Sequence, residues 1–260
     1  MLVFMKVIVI GCGNLGSAVV EGLDNEGHEV VACDKDEEAL AELGGGVDKT
    51  TDTSEGVAGA DLIVVAVKPE AVGPVLGSFE ASSGQVVASF AAAVSLGYVR
   101  ERTEARAVRV MPNLAGEYNE MAAAVCPEGD VPEEVTRALE DLGSYVEVDE
   151  ELMDIATAVN GSGPAFVFYA MKAMRDAGVE GGLDEKEAGT LVAQTFRGAA
   201  AIVQNDERSL DELIDAVCSP GGTTIEGMEV LRDTDAGGPF VDAIRAAERR
   251  SEEITEELGL

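Results

Sequence analysis

Basic residues are scarce in this chain, and tryptophan is absent. The sequence has 18 Lys and Arg against 50 Asp and Glu, which gives a formal net charge of −32 at pH 7. A surface of that charge repels the phosphates of nucleic acids and of anionic lipids. We therefore expect no nucleic acid partner, and no apolar run is long enough to predict a membrane span.

Cysteine and histidine are too few and too scattered to predict a metal site. The four cysteines, Cys12, Cys33, Cys126 and Cys218, form no C-x-x-C pair, and His28 is the sole histidine. We expect no zinc, and small, reduced, buried thiols instead. The first residues lead straight into an apolar strand without a small-residue cleavage site, so we expect no signal peptide and a cytoplasmic protein.

The acidic residues are spread along the chain and are not collected in a tail. Self-repulsion at this net charge destabilises a compact fold at low ionic strength, and salt screens the repulsion. We hypothesise a halophilic protein from a high-salt cytoplasm. The alternative is a protein that is merely acidic.

The first 150 residues alternate between apolar runs and helical patterns. Strands are predicted at Lys6–Ile10, Glu29–Cys33, Asp61–Val67, Gln85–Phe90, Arg106–Met111, Met121–Cys126 and Tyr145–Val148. Helices are predicted at Ser17–Asn25, Glu37–Leu43, Ser54–Ala58 and Pro132–Leu142. This alternation predicts an α/β fold with a mostly parallel, doubly wound sheet of the Rossmann type.

A G-x-G-x-x-G motif follows the first predicted strand. It consists of Gly11, Cys12, Gly13, Asn14, Leu15 and Gly16. Strand, glycine turn, helix, strand and acid in this order predict a dinucleotide site. Asp34, after the second strand, favours the ribose hydroxyl of NADH, whereas Lys35 favours the 2′-phosphate of NADPH. Both cofactors stay open.

Two further strand ends are predicted to face the cofactor, since strand ends at this edge of a doubly wound sheet do so. Ala66, Val67, Lys68 and Pro69 close one strand, and Lys68 is either a cofactor contact or a solvated lysine. Ala91, Ala92 and Ala93 close the next. Their small side chains leave room for a nicotinamide.

No strand is predicted after Asp149, so residues 1–150 are expected to form the dinucleotide-binding domain and residues 151–260 an all-α domain. The predicted helices are Glu151–Val159, Pro164–Asp176 with Gly178 as its C-cap, Asp184–Gln204, Ser209–Val217, Thr223–Arg232 and Pro239–Leu258. The second of these is apolar nearly all round, so it must be buried. Either a partner subunit covers it, or it is central to its own domain.

Ser219 to Glu226 reads as a helix start with an unusual glycine pair. Ser219 is predicted as the N-cap, Pro220 as the first helical residue, and the two glycines as part of the first turn. Free N–H groups at such a start attract anions. Together with the hydroxyls of Thr223 and Thr224, they predict a pocket for a small carboxylate. The alternative is an ordinary glycine-rich turn.

These motifs resemble the pyrroline-5-carboxylate reductase family over essentially the whole chain. The resemblance rests on Gly11–Gly16, Ala66–Pro69, Val110–Asn113, Gly161–Phe166 and Ser219–Ile225. It implies a helical dimerisation domain, a homodimer that is often part of a decamer, and NADPH or NADH as cofactor. It also implies reduction of the cyclic imine 1-pyrroline-5-carboxylate to L-proline.

The resemblance also implies residue roles. Ser219, Gly222, Thr223 and Thr224 hold the substrate carboxylate, partly through backbone amides, and the Thr224 hydroxyl is the candidate proton donor. Glu207 falls where the family has an acid near the substrate. Departures from the family pattern are Leu15 for methionine, Leu114-Ala115 for Thr-Pro, Ala93 for glycine and Phe166 for tyrosine.

Imine reduction suits a chain with one histidine. An imine needs a hydride at carbon and a proton at nitrogen, whereas alcohol oxidation needs a general base. Two alternatives remain: a reductase of another cyclic imino acid, and a dinucleotide-binding module without catalysis.

Overall fold

The structure is a computed structural model that describes residues 4–44 and 46–259. Its strands are β1 (Lys6–Ile10), β2 (Glu29–Cys33), β3 (Asp48–Thr50), β4 (Leu62–Val65), β5 (Val86–Ser89), β6 (Arg106–Pro112), β7 (Met121–Pro127) and β8 (Gly143–Glu147). They form one sheet in the order β3-β2-β1-β4-β5-β6-β7-β8. All neighbours are parallel except β6 and β7, which are antiparallel.

Helices follow or separate the strands and then fill the second part of the chain. They are α1 (Asn14–Asn25), α2 (Glu37–Glu42), α3 (Thr53–Val57), α4 (Pro69–Leu76), α5 (Leu96–Arg100), α6 (Glu133–Leu142), α7 (Met153–Ala156), α8 (Gly163–Glu180), α9 (Glu185–Asn205), α10 (Leu210–Val217), α11 (Thr223–Asp233) and α12 (Gly237–Leu258). Two short 3₁₀ turns lie at Ala115–Tyr118 and Glu150–Leu152.

The central strands are buried on both faces, which explains their continuous apolar sequences. In β1, Val7 and Val9 join a core with α1 and α6, whereas Ile8 and Ile10 join a second core with α3, α4 and α5. Helices therefore cover both sides of the sheet. The predicted doubly wound α/β fold with a helical second part is confirmed.

The chain divides by its contacts into two compact units. One holds the residues up to Ser162 together with those from Arg245 onward, and the other holds Gly163–Ile244. The division falls after residue 150 because Met153 of α7 is fully buried against Ala124 and Cys126. In α12, the Ser251 hydroxyl donates to Asp154 Oδ1 at 2.6 Å. The predicted boundary near residue 150 stays a prediction.

Several element bounds differ from the predictions. The first helix begins at Asn14, not Ser17, because Gly13, with an extended backbone, is its N-cap. Gly178 is not a C-cap: α8 continues to Glu180, and the left-handed residue that follows it is Gly182, with φ of +104°. The predicted helix at Glu151–Val159 is instead a 3₁₀ turn, the short α7 and a π-helical turn.

The apolar helix α8 is exposed within the single chain. Phe168 and Tyr169 are 65% and 75% exposed. The helix packs along α9, where a Cβ on Gly178 would lie 3.3 Å from Ala188 Cβ. Its position is not central to its own unit, so that alternative is wrong. None of the helices of the described residues has the length and apolarity that crossing a membrane requires.

Candidate active site

Two glycines of the G-x-G-x-x-G motif are required by packing. Gly11 has φ of +98°, and a Cβ there would lie 2.8 Å from Ala66 O. A Cβ on Gly16 would lie 1.7 Å from Gly11 O. The turn between β1 and α1 therefore packs on itself and against the end of β4, where any side chain would open it.

Gly13 is different, because its surroundings are open. A Cβ there would meet no atom within 4 Å. Gly13 is the N-cap of α1 and provides no side-chain cap, so the first amides of the helix stay available. An open, positively polarised helix start fits the pyrophosphate of a dinucleotide. The residues present therefore fit the cofactor that the motif predicts.

Asp34 lies directly beside this turn. Its Oδ2 atom accepts a hydrogen bond from the Cys12 amide at 2.7 Å, and its Oδ1 atom accepts one from the Asp36 amide at 3.0 Å. The carboxylate is therefore fixed at the carboxyl end of β2. Lys35 is exposed next to it.

The Cys12 thiol within the turn is buried. Burial is the main cause that raises the pKa of Cys12 to about 12, and the nearby charge of Asp34 raises it further. Its Sγ lies 3.6 Å from Cys33 O. The thiols of Cys12, Cys33 and Cys126 are free and buried as predicted, whereas Cys218 is only partly buried.

The strand order reverses direction between β1 and β4, which marks the crevice where doubly wound sheets bind ligands. Ala66 and Val67 are half-buried after β4, and the predicted strand ends earlier, at Val65. Lys68 is exposed and caps α4, with Pro69 as its first residue. The cofactor contact predicted for Lys68 stays a prediction.

The Ala91–Ala93 turn follows β5 and is more constrained than its sequence suggests. Ala93 is 1% exposed and has φ of +59°, a conformation that favours glycine. The amide of Leu96, just past the turn, donates to Glu150 Oε1 at 3.3 Å. Arg109 Nη1 donates to the same oxygen at 2.5 Å. Sequence reasoning missed this pair; the one signal was an arginine between Val108 and Val110 in a buried strand.

The second unit holds the residues predicted for the substrate. Ser219 is not a helix N-cap and Pro220 is not helical: α11 begins at Thr223, with Gly222 as its N-cap. Ser219 to Gly222 form a tight turn, closed by the Gly222 amide donating to Ser219 O at 2.9 Å. Proline and a glycine at φ of +69° are the residues that such a turn favours.

The start of α11 keeps the property that the sequence predicted. No side chain caps it, and Ser219, Thr223 and Thr224 are exposed within the single chain. A Cβ on Gly222 would lie 2.6 Å from Ser219 Oγ and 3.0 Å from Ser219 O, so a side chain there would displace the Ser219 hydroxyl. Free amides and three hydroxyls therefore share one helix start. Gly221 is favoured in this turn because its φ is +69°, and the turn leaves the amides open.

Glu207 lies in the loop between α9 and α10 and is exposed. Its neighbour Asp206 accepts hydrogen bonds from the Arg208 guanidinium, which lower the pKa of Asp206 to about 2. Among the described residues, no hydrogen bond or ion pair links Glu207 to Ser219–Thr224. The part of the chain that the structure describes also holds no group of three or more His, Cys, Asp or Glu that could bind a metal ion.

Comparison with known proteins gives consistent matches along the chain. A family model described as pyrroline-5-carboxylate reductase dimerisation matches residues 150–254, and one described as NADP oxidoreductase coenzyme F420-dependent matches residues 6–93. The chain is 37% identical to a pyrroline-5-carboxylate reductase of Methanosarcina acetivorans, over 96% of this chain and 97% of that protein.

Two solved structures agree with the fold over nearly all residues. The pyrroline carboxylate reductase of Plasmodium falciparum, crystallised with NADP bound, is 27% identical with a TM-score of 0.84, covering 96% of this chain and 98% of that one. The pyrroline-5-carboxylate reductase of Coxiella burnetii is 28% identical with a TM-score of 0.85, covering 97% and 99%.

Proposed function

Since the chain belongs to the pyrroline-5-carboxylate reductase family, we propose that it reduces 1-pyrroline-5-carboxylate to L-proline with NADPH or NADH. One observation carries the proposal beyond the family. Two glycine-flanked helix starts, α1 at Gly13 and α11 at Gly222, both leave their first amides without a capping side chain. Each start is suited to an anion, one to a pyrophosphate and the other to a small carboxylate.

In the first unit, we assign cofactor binding to the turn and the strand ends around it. Gly11 to Gly16 receive the pyrophosphate, and the fixed carboxylate of Asp34 accepts from a ribose hydroxyl. The remaining contacts come from Lys35, from Ala66, Val67, Lys68 and Pro69, and from Ala91, Ala92 and Ala93. The cofactor, when bound, supplies the hydride.

In the second unit, we assign substrate binding to the start of α11. Ser219, Gly222, Thr223 and Thr224 hold the substrate carboxylate through hydroxyls and free amides. This fixes the ring, and orientation alone removes several kcal/mol of barrier in such reactions. The Thr224 hydroxyl donates a proton to the ring nitrogen as the carbon beside it receives hydride. Glu207 is assigned near the substrate.

A cofactor-oxidation assay tests the proposal. The full-length protein in molar KCl is given 1-pyrroline-5-carboxylate and NADPH or NADH, and we expect loss of reduced cofactor with stoichiometric L-proline. Activity confined to a six-membered cyclic imino acid would assign a different imine reductase. Cofactor binding by calorimetry without turnover of either imine would assign a dinucleotide-binding module.

We also propose that the protein is a cytoplasmic homodimer, with a decamer as the larger assembly. The exposed apolar residues of α8 and the match of residues 150–254 to a dimerisation family support the dimer. The net charge of −32 argues against nucleic acid partners. Light scattering after size-exclusion chromatography distinguishes monomer, dimer and decamer.

A further inference from the structure

A row of polar side chains crosses the sheet beneath the Ala91–Ala93 turn. Ser89 of β5 is in register with Arg109 of β6, which is in register with Cys126 of β7. All three are buried, with 0%, 5% and 6% exposure. A cation in the middle of such a row is costly unless it is paired.

Arg109 pairs with Glu150, which lies just after β8. One carboxylate oxygen of Glu150 accepts two hydrogen bonds. Glu150 Oε1 accepts from Arg109 Nη1 at 2.5 Å and from the Leu96 amide at 3.3 Å. Leu96 is the first residue of α5, and the Ala91–Ala93 turn ends three residues earlier. The Glu150 carboxylate therefore links β6 to the first residue of α5, just after the Ala91–Ala93 turn.

The turn needs such support, because Ala93 is held in the left-handed region. A residue in that conformation persists only where its surroundings over-determine it. Before the turn, the Phe90 amide donates to Val65 O at 2.9 Å. After it, the Ser95 hydroxyl caps α5 by accepting from the Tyr98 amide at 3.2 Å, and Glu150 holds Leu96.

The Arg109–Glu150 pair is not well suited to stabilising the fold by itself. Arg109 Nη2 and Glu150 Oε2 are buried atoms to which no nitrogen or oxygen of the described residues is hydrogen-bonded, although the Glu150 side chain as a whole is 34% exposed and also bonds the Cys126 thiol. An ion pair whose cation is buried and incompletely hydrogen-bonded is often no more stable than an apolar replacement. The location of this pair beside a strained turn therefore points to a positioning role.

We propose that Glu150, oriented by Arg109, is a positioning residue that holds the Ala91–Ala93 turn in the shape that receives the nicotinamide. The inference rests on the proposed function, since it takes this turn as the nicotinamide side of the cofactor site. Neither residue contacts substrate in this proposal. Both act through the backbone between Phe90 and Leu96.

The kinetic test uses Glu150→Ala, which removes the acceptor oxygen, the double variant Arg109→Met with Glu150→Ala, and Glu133→Ala as control. Glu133 pairs with Arg137 on α6, so its loss removes an exposed carboxylate that makes no bond to the turn. We expect Glu150→Ala to lower kcat roughly 10- to 100-fold, as misplaced reactants do. The KM for the imine should stay near wild type, and the primary deuterium isotope effect on kcat should rise.

The double variant separates positioning from stability. It leaves no unpaired buried charge, so its melting temperature should recover towards wild type while kcat stays low. Recovery of kcat together with the melting temperature would show that the pair serves only stability, and would overturn the proposal. The control should match wild type in both measurements.

A readout without cofactor keeps the test independent of the proposed function. Hydrogen exchange of the segment from Ala91 to Leu96, measured by mass spectrometry, should be faster in Glu150→Ala than in wild type and Glu133→Ala. Equal exchange in all three would overturn the positioning role. Failure of the wild-type protein to turn over 1-pyrroline-5-carboxylate would instead overturn the proposed function.

Discussion

Thr224 is the residue on which the proposed proton transfer depends. Its hydroxyl is exposed in the first turn of α11. We predict that Thr224→Ala lowers kcat by roughly 10- to 1000-fold, because one general acid contributes rate factors of this order. Steady-state kinetics measure it, with Thr224→Ser as the matched control that keeps a hydroxyl. Wild-type kcat in Thr224→Ala would remove Thr224 as the donor.

Ala93 carries backbone strain that a glycine would relieve. An alanine in the left-handed region costs about 1–2 kcal/mol of folding free energy, which glycine avoids. Part of this gain is offset, because glycine loses more conformational entropy on folding. We predict that Ala93→Gly raises the free energy of unfolding by roughly 0.5–1 kcal/mol in a denaturant titration. Ala92→Gly is the control, since φ is not positive there, and it should destabilise. Equal effects of the two substitutions would contradict the assigned strain.

The buried thiols make stability sensitive to alkaline pH. Burial raises the pKa of Cys12 and Cys126 to about 12, and that of Cys33 to about 11, from an ordinary value of 9.0. The folded state therefore holds these protons more tightly than the unfolded state. Their contribution to stability is complete below about pH 9 and is lost as the pH rises through 11 to 12.

At neutral pH we predict that iodoacetamide modifies Cys218 alone in the native protein, since the other three thiols stay protonated and buried. Mass spectrometry after brief labelling identifies the site, and labelling in denaturant should modify all four. Fast native labelling of Cys12 would show that the glycine turn is open.

At the scale of the element, glycine has two different roles in the turn between β1 and α1. Gly16 is required by packing, whereas Gly13 leaves open space at the helix start. Gly16→Ala forces a Cβ against Gly11 O, whereas Gly13→Ala meets nothing. We predict that Gly13→Ala folds normally and loses cofactor affinity, measured by calorimetry. Gly16→Ala should lower the melting temperature as well. Unchanged affinity in Gly13→Ala would show that the cofactor does not approach this helix start.

The sequence predicted the elements where the local signal was strong. Continuous apolar runs identify the buried central strands, and capping boxes at Asp184 and Ser209 are both present in the structure. The exposed β3 was missed because it is only three residues long, Asp48 to Thr50, and all three are polar. The break at Glu151–Val159 was missed because it depends on packing against β6 and β7: the Asn160 side chain donates to Met111 O and Ala122 O.

The candidate site was predictable only as far as its motifs are local. The glycine turn, Asp34 and the bare start of α11 each lie in one stretch, where residue type and order carry the information. The helix start at Ser219 was placed wrongly because a tight turn and a first helical turn share the same residues. Glu150 and Arg109 are 41 residues apart, so no local pattern joins them.

At the scale of the whole molecule, the excess of acidic residues predicts a stability that depends on salt. With a net charge of −32, repulsion among carboxylates opposes folding at low ionic strength. We predict that the melting temperature rises steadily from low to molar KCl, measured by calorimetry. Choline chloride, matched in ionic strength, tests whether screening by any salt suffices. A flat curve would leave the protein merely acidic and end the halophile hypothesis.

The path of the last helix has a consequence for synthesis. Ser251 of α12 is buried and bonded to Asp154, although 97 residues separate them. On the ribosome, the sheet, α7 and the whole of the second unit emerge before this contact can form. The first unit therefore lacks this contact until the whole of the second unit has been synthesised.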